Sequence, residues 1–183
     1  MNILKDTKKL CKLNGIKPSR SKGQNFLISE EIYEKIIEAA KLKKSDIVLE
    51  VGPGLGFLTE KLASRVKKVV AVELDDKLAK ILQIRLRKQG IKNVEVMNED
   101  ILDFRIKNYE LRKFKIVANL PYNITSIFLR KFLSAEVKPE LMVLMLQKEV
   151  AQRIVAKDGK MSILAVSVQF YAKPEIIDYV SKE

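Results

Sequence analysis

The sequence contains no histidine and a single cysteine, Cys11. The missing histidine excludes a histidine general base, a Ser–His or Cys–His dyad and a histidine-ligated metal. A lone cysteine excludes an internal disulfide and a zinc cluster built from thiolates. No apolar run reaches the ~18 residues of a membrane span, and residues 1–23 lack the apolar core of a signal peptide. We therefore expect a soluble, cytoplasmic protein without a metal site.

The net charge of the chain is unusually positive, at +12, and half of it lies near the N-terminus. Residues 1–22 contain seven lysines and arginines but only one acid, Asp6, which gives this segment a net charge of +6. Such a segment suits a polyanion such as RNA, because phosphates supply the part of the affinity that does not depend on sequence. A basic surface that merely keeps the protein in solution is the alternative.

The 183 residues, of which 47% are hydrophobic, are enough for one domain with a buried core. Within the chain, short apolar runs alternate with segments of helical spacing. The expected strands are residues 47–51, 68–73, 93–98, 115–118 and 141–146, with 163–171 as a sixth extended stretch. The expected helices are residues 2–14, 57–65, 75–89, 124–133 and 149–155, with a further helix after Ser29. This alternation predicts an α/β fold, in which helices cover both faces of a mostly parallel sheet.

Three of these helices carry apolar residues at a spacing that predicts which side is buried. The expected buried residues are Ile3, Leu10 and Leu13 in the first helix, Ile32, Ile36, Ile37 and Ala40 after the Ser29 N-cap, and Leu78, Ile81, Leu82 and Leu86 in helix 75–89. Gly90 is expected at the C′ position that ends this last helix.

Polar or glycine-rich residues follow the first three expected strands. The loop Gly52-Pro53-Gly54-Leu55-Gly56 opens a helix, where backbone N–H groups meet nucleotide-type ligands. Its third glycine comes one residue too early for the dinucleotide fingerprint, and a simple tight turn is the alternative. Glu73 ends the second strand, where a carboxylate can accept both hydroxyls of a ribose. Asp100 follows the third strand and can accept a hydrogen bond from an adenine amine, although either acid alone could be a solvated loop residue.

The segment Asn119-Leu120-Pro121-Tyr122 joins the fourth strand to the next helix. In open α/β sheets this carboxyl edge is where ligands bind. Asparagine offers one acceptor and two donors, proline stiffens the backbone, and tyrosine offers a π-face. Together these groups can hold a flat base that carries an exocyclic amine. A plain strand-to-helix turn is the alternative.

Together these motifs resemble those of the S-adenosylmethionine-dependent rRNA adenine N6,N6-dimethyltransferases. Two further segments share the resemblance, Gly23-Gln24-Asn25-Phe26-Leu27 before the first strand and residues 145–153 after the fifth. The similarity runs from about residue 22 to residue 171, and Asn-Leu-Pro-Tyr-Asn-Ile is more similar to the small-subunit branch than to the erythromycin-resistance branch. It implies a Rossmann-like methyltransferase fold and S-adenosyl-L-methionine as the cofactor. It also implies methylation of the exocyclic amines of two adjacent adenines in the 3′-terminal hairpin of small-subunit rRNA.

The resemblance also implies residue roles. It implies the cofactor-binding residues Gln24, Asn25, Leu27, Glu50, Gly52, Gly54, Gly56, Glu73, Leu74, Asp100, Ile101 and Asn119 and the catalytic residues Asn119, Leu120, Pro121 and Tyr122. Gln24 and Asn25 would close over the cofactor, and Glu50 would attract its ammonium group. Asn119 and the carbonyl of Leu120 or Pro121 would hold the target amine, while Tyr122 would stack on the flipped base.

The charge of residues 1–22 predicts a separate basic N-terminal segment, and the resemblance implies that residues 23–183 form a methyltransferase catalytic domain. In the family a Phe-x-Pro-x-Pro-Lys-Val segment, a seventh strand and a small helical domain follow. Since the chain ends at Glu183, we expect these parts to be absent, together with a second aromatic residue opposite Tyr122. The implied partner is small-subunit rRNA within the small ribosomal subunit, and we expect the protein to act as a monomer.

Three other functions compete with this interpretation. The early third glycine and the missing histidine disfavour an NAD-dependent oxidoreductase. A DNA N6-adenine methyltransferase would typically carry Asp-Pro-Pro-Tyr in place of Asn119-Leu120-Pro121-Tyr122. A non-catalytic RNA-binding or ribosome-assembly module that keeps the cofactor site stays open.

Overall fold

The computed structural model describes residues 2–17, 26–106, 112–121, 123–157 and 159–180. Helices and strands alternate along almost the whole chain. In order they are α1 (Ile3–Leu13), α2 (Glu30–Ala39), β1 (Ile47–Val51), α3 (Phe57–Ala63), β2 (Lys68–Val72), α4 (Asp76–Lys88), β3 (Val94–Met97), β4 (Lys115–Asn119), α5 (Thr125–Leu133), β5 (Leu141–Met145), α6 (Lys148–Ile154) and α7 (Ile163–Tyr171).

The five strands form one sheet in the order β3-β2-β1-β4-β5, and every pair is parallel. The strand order reverses between β1 and β4, which pair with Val51 opposite Ala118. The loops that leave the carboxyl ends of these two strands therefore diverge to opposite faces of the sheet and open a crevice between them. The predicted α/β fold with a parallel sheet is confirmed.

Each face of the sheet carries its own apolar core, because successive strand residues point to opposite faces. On one face Leu49 and Val51 of β1 pack in a cluster with Phe128 and Phe132 of α5. On the other face Val48 packs with residues of α1, α2, α3 and α4. The central strands are apolar at nearly every position because both of their faces are covered. The helical layers on the two faces match the expectation.

Local capping explains where several helices begin and end. The Ser29 hydroxyl accepts a hydrogen bond from the Ile32 N–H at 3.4 Å, as expected of the N-cap of α2. Asp75 caps α4 in the same way, and Gly90 follows that helix with φ +69°. All four predicted inward residues of α4 are buried, and so are Ile37 and Ala40 at the end of α2.

The structure corrects the prediction that residues 163–171 form an extended stretch. They form α7, whose N-cap Ser162 accepts a hydrogen bond from the Ala165 N–H at 3.2 Å. Only Ala165 and Val168 of this helix are buried, whereas Ile163 is 89% exposed. A continuous apolar run does not distinguish a strand from a helix, because it shows neither period.

The buried sides of α1 and α2 also differ in part from the prediction. Leu13 is 71% exposed, because the buried side of α1 runs through Ile3 and Thr7 and turns away from Leu13. In α2 the side chain of Tyr33 is buried, while Ile32 and Ile36 are only half-buried. In the part of the chain that the structure describes, no helix is long and apolar enough to cross a bilayer.

Candidate functional site

A cleft with a volume of about 100 Å³ opens at the carboxyl ends of β1 and β4. It lies at the point where the strand order reverses, which is the usual ligand site of such sheets. The predicted site residues that line it are Leu27, Glu50, Gly52, Gly54, Glu73, Asn119 and Pro121. The fold thus brings together residues that lie more than ninety positions apart in the sequence.

Five other predicted site residues that the structure describes do not line this cleft. Gly56 is the N-cap of α3, and Leu74 is 67% exposed just after β2. Asp100 and Ile101 form a turn after β3, and Leu120 is buried beneath the cleft in the core. The predictions for Gln24, Asn25 and Tyr122 fall outside the described residues.

The glycine loop after β1 depends on left-handed backbone conformations that disfavour other residues. Gly52 and Gly54 have φ values of +67° and +58°, and a Cβ on Gly54 would lie 3.1 Å from Cε1 of the Phe26 ring. A Cβ on Gly56 would collide with Cδ1 of Leu82. Gly56 therefore allows the close packing of α3 against α4. Gly52 and Gly54 have no side chain and so leave space in the cleft for a ligand.

Glu73 ties the end of β2 to the glycine loop. Its Oε2 accepts a hydrogen bond from the Gly54 N–H and its Oε1 accepts one from the Asp75 N–H, both at 3.0 Å. The residue is only 7% exposed. Burial raises the pKa of this carboxyl above its ordinary value, and the hydrogen bonds from the two backbone N–H groups oppose the rise. Each carboxylate oxygen keeps a second lone pair with which a ligand hydroxyl can bond.

Glu50 is the unusual residue of the cleft. It is the penultimate residue of β1, is 1% exposed, and its Oε2 has no hydrogen-bond partner among the described residues. Burial is the main cause that raises the pKa of this carboxyl to about 8, and the nearby charge of Glu73 adds to the rise. The Thr59 hydroxyl lies close enough to offset part of it, although its geometry falls short of a hydrogen bond. A buried carboxyl that lacks a partner fits a cationic ligand group.

Three aromatic residues that line the cleft, Phe26, Tyr33 and Phe57, were not predicted as site residues. Tyr33 is buried beside Glu50, and its hydroxyl donates a hydrogen bond to the Leu27 carbonyl at 2.8 Å. Phe57 opens α3 and lines the same cleft. The helical spacing of Tyr33 and Ile37 could have indicated that Tyr33 faces inward, since residues four apart share one side of a helix.

Asn119, the last residue of β4, forms the opposite wall of the cleft with Pro121. After Asn119, the Leu120 N–H donates to the Met145 carbonyl of β5 at 3.3 Å. The Pro121 carbonyl accepts hydrogen bonds from the Ile124 N–H at 3.3 Å and the Thr125 hydroxyl at 3.5 Å. These bonds start α5 and occupy both lone pairs of the Pro121 carbonyl.

Asn98 joins the ends of β2 and β3, a role that the sequence analysis did not assign to it. Its side-chain Nδ2 donates to the carbonyl of Glu73 at 3.0 Å and to that of Leu74 at 3.4 Å. Two residues later, the Asp100 carboxylate accepts a hydrogen bond from the Leu102 N–H at 2.8 Å. The signal that could have indicated such a bridge is an amide side chain directly after a strand.

The basic helix α1 is attached to the domain near this edge. Ile3 is 3% exposed, and Lys77 of α4 donates a hydrogen bond to the Gly15 carbonyl at 3.0 Å. The helix exposes four lysines, called here the α1 lysines: Lys5, Lys8, Lys9 and Lys12. Among the described residues no group of three or more histidine, cysteine or acidic side chains could hold a metal ion.

Comparison with known proteins finds relatives of this chain in sequence and in structure. The chain is 46% identical over 182 residues to the ribosomal RNA small subunit methyltransferase A of Dehalococcoides mccartyi, an alignment that covers 98% of this chain and 62% of the relative. Its structure is similar to that of a dimethyladenosine transferase from Plasmodium falciparum, with a TM-score of 0.72, 37% identity and coverage of 79% of this chain and 52% of the other. It is also similar to the 23S rRNA methyltransferase ErmE, with a TM-score of 0.69, 36% identity and coverage of 78% and 56%.

The chain thus spans about 62% of the length of the relative from Dehalococcoides mccartyi. The family model for ribosomal RNA adenine dimethylase matches residues 16–183, which is most of the chain. The predicted resemblance is confirmed, and the competing oxidoreductase and DNA methyltransferase hypotheses do not fit it. The chain belongs to the ribosomal RNA adenine dimethylase family.

Proposed function

We propose that this chain is the catalytic domain of an S-adenosyl-L-methionine-dependent enzyme that dimethylates adenine N6 in rRNA. Its targets would be two adjacent adenines in the 3′-terminal hairpin of small-subunit rRNA. The observation that carries the proposal is the buried carboxyl of Glu50, whose Oε2 has no hydrogen-bond partner among the described residues, in a cleft between the glycine loop and Asn119. Such a cleft suits a ligand with a cationic amino-acid end and a reactive centre near Asn119.

The residues of the cleft fit the proposed cofactor. Oε2 of Glu50 would accept a hydrogen bond from the ligand ammonium, which would give this buried atom the partner that it lacks. Glu73 would bind the ribose hydroxyls with its remaining lone pairs, and Asp100 would accept from the adenine amine. Leu27, Gly52, Gly54, Leu74 and Ile101 would contribute backbone or apolar contacts. When bound, the cofactor supplies an electrophilic methyl group on a sulfonium.

Asn119 and a backbone carbonyl would orient the target amine. Because the Pro121 carbonyl already accepts two hydrogen bonds from the turn, the Leu120 carbonyl is the better second acceptor. An adenine amine is a weak nucleophile while its lone pair is delocalised into the ring, and two acceptors on its N–H groups would favour a more tetrahedral nitrogen. Positioning can lower a barrier by roughly 7–11 kcal/mol, so that a chain without histidine needs no strong side-chain base.

The roles of Gln24, Asn25 and Tyr122 stay predictions. The first two would close over the cofactor, and the ring of Tyr122 would stack on the flipped adenine. The α1 lysines would contact rRNA phosphates, because they form an exposed row of charges on a helix that is anchored to the domain. We further propose that the protein acts as a monomer on the small ribosomal subunit in the cytoplasm.

A transfer assay tests the proposal. Small ribosomal subunits that lack the modification would be incubated with the chain and methyl-labelled cofactor, with the full-length relative as a positive control. Label that appears in dimethyladenosine after RNA digestion supports the proposal, and Asn119→Ala should remove it. Cofactor and RNA binding without transfer would instead support the non-catalytic RNA-binding module.

A further inference from the structure

Lys131 lies in α5, the helix that follows Asn119-Leu120-Pro121, but its side chain reaches a different part of the site. Its Nζ donates hydrogen bonds to the carbonyls of Ile101 at 3.1 Å and Leu102 at 2.5 Å. These carbonyls belong to the turn that follows β3. One lysine therefore connects the segment after β4 with the segment after β3.

This turn is closely built around Asp100. The Asp100 carbonyl accepts hydrogen bonds from the N–H groups of Asp103 at 2.9 Å and Phe104 at 3.0 Å. Its carboxylate accepts one from the Leu102 N–H at 2.8 Å. The side chains of Ile101 and Phe104 anchor the turn in the core, with exposures of 5% and 1%. Lys131 bonds to the carbonyls on either side of the Leu102 N–H, so its position affects the bond that orients the Asp100 carboxylate.

The turn is also acidic, and Lys131 places a cation beside it. Burial has the largest effect on this lysine and lowers the pKa of Lys131. Three nearby carboxylates oppose this effect because they favour the charged lysine, in the order Asp103, Asp100 and Glu99. Arg105 is a further positive charge near the lysine and opposes its ionisation. The charge of Lys131 offsets part of the repulsion among these three carboxylates.

We infer that Lys131 is a positioning residue that holds the Asp100 carboxylate in place for the adenine amine of the cofactor. The inference rests on the proposed function, which assigns the adenine amine to Asp100. It adds a link between two parts of the site. Thr125, which begins α5 at the Pro121 turn, and Lys131 are about 9 Å apart along the helix axis. This rigid segment therefore keeps a fixed distance between the proposed acceptors of the target amine, which precede α5, and the turn that contains Asp100.

Lys115 provides a matched control at the opposite end of the sheet. It begins β4, and its Nζ donates to two consecutive carbonyls, those of Ala40 at 3.0 Å and Lys41 at 2.6 Å. It also pairs with Asp46 at 2.8 Å. Both lysines thus stabilise a backbone turn in the same way, but Lys115 lies at the amino end of β4, away from the cleft.

The experiment measures the binding of two ligands by calorimetry. One is S-adenosylhomocysteine, and the other is S-inosylhomocysteine, which carries an oxygen in place of the adenine amine. We expect Lys131→Met to weaken S-adenosylhomocysteine binding about tenfold but inosyl-ligand binding less than about threefold, because only the first ligand donates a hydrogen bond to Asp100. Lys131→Arg should restore most of the affinity, since it keeps the cation. Lys115→Met should lower the melting temperature and leave both dissociation constants unchanged.

Other outcomes overturn the inference. It fails if Lys131→Met binds S-adenosylhomocysteine like the wild type, or if it weakens both ligands equally, which would indicate general damage. It also fails if Lys131→Met weakens ligand binding by the same factor in an Asp100→Ala protein as in the wild type. A residue that acts through Asp100 should have no effect on affinity once Asp100 is removed. If Lys131→Met does not fold, Lys131→Gln replaces it in the same comparison. A wild-type chain that binds neither ligand would overturn the proposed function itself.

Discussion

Replacing Glu50 with glutamine should make the stability of the ligand-free protein less dependent on pH. The Glu50 carboxyl is 1% exposed, and burial raises its pKa from 4.5 to about 8. The folded protein therefore binds this proton more tightly than the unfolded chain does. Its contribution to stability is fully present below pH 4.5 and is lost as the pH rises towards about 8. The difference between the two pKa values corresponds to about 5 kcal/mol, which is an upper bound because a buried site can relax.

Glutamine has nearly the same shape as glutamic acid but does not ionise, so the variant should not suffer this loss. We expect urea denaturation to give similar free energies of unfolding for Glu50→Gln and wild type near pH 5. At pH 8 the variant should be more stable by a few kcal/mol. Glu38→Gln, which changes an exposed side chain of α2, is the control and should leave the pH profile of the wild type unchanged.

Cofactor binding should change in the opposite direction. If the Glu50 carboxylate binds the ligand ammonium, Glu50→Gln should weaken binding of S-adenosylhomocysteine at pH 8 by roughly 1.5–3 kcal/mol. A variant that gains stability while it loses affinity separates the two effects. A constant difference in stability between variant and wild type from pH 5 to pH 8 would refute the argument, because it would mean that Glu50 is solvated or paired in the ligand-free protein.

Three further predictions concern other parts of the site. Glu73→Ala should weaken cofactor binding by roughly 1.5–3 kcal/mol per charged hydrogen bond lost, and unchanged affinity of the folded variant in calorimetry would remove Glu73 from the site. Asn119→Ala should abolish methyl transfer while cofactor affinity stays within about twofold, because the amide acts on the target amine. If the variant transferred methyl groups at the wild-type rate, Asn119-Leu120-Pro121-Tyr122 would be only a turn that ends the strand. Replacing all four α1 lysines with glutamine should reduce the slope of log RNA affinity against log salt concentration by about three. Filter binding at several salt concentrations measures this slope. An unchanged slope would mean that the lysines are only solvated and do not contact RNA. The melting temperature of this last variant is its control, because Ile3 and Thr7, which attach α1 to the domain, are unchanged.

Much of the fold could be predicted because its signals are local. The strands β1, β2 and β4 are buried on both faces, so their sequences are short apolar runs that need no knowledge of neighbours. Capping residues such as Ser29 and Asp75 act within three positions of themselves. The end of the chain was harder, and α7 was mistaken for a strand, because Ile163 and Phe170 expose apolar side chains that hide the helical period.

The sequence alone determined which polar groups follow the strands, and with them the family. The glycine loop, Glu73 and Asn119 stand at the ends of apolar runs, and Asp100 lies three positions after the last residue of β3. Parallel strands bring such positions to one edge of the sheet. Tertiary structure decided how these groups are used. Pairing of β1 with β4 sets the glycine loop opposite Asn119, although sixty-two residues of the chain separate Gly52 from Lys115, the first residue of β4.

The burial of the ionisable side chains was likewise decided only by the fold. Nothing next to Glu50 in the sequence shows that its carboxyl would be enclosed by Tyr33, Thr59 and Glu73, because these side chains come from different elements. The same holds for Lys131, whose partners Ile101 and Leu102 lie about thirty residues away. Local periodicity determines where strands, helices and turns form. Long-range packing determines which charges lose water and which carbonyls acquire a donor, and those contacts give the site its chemistry.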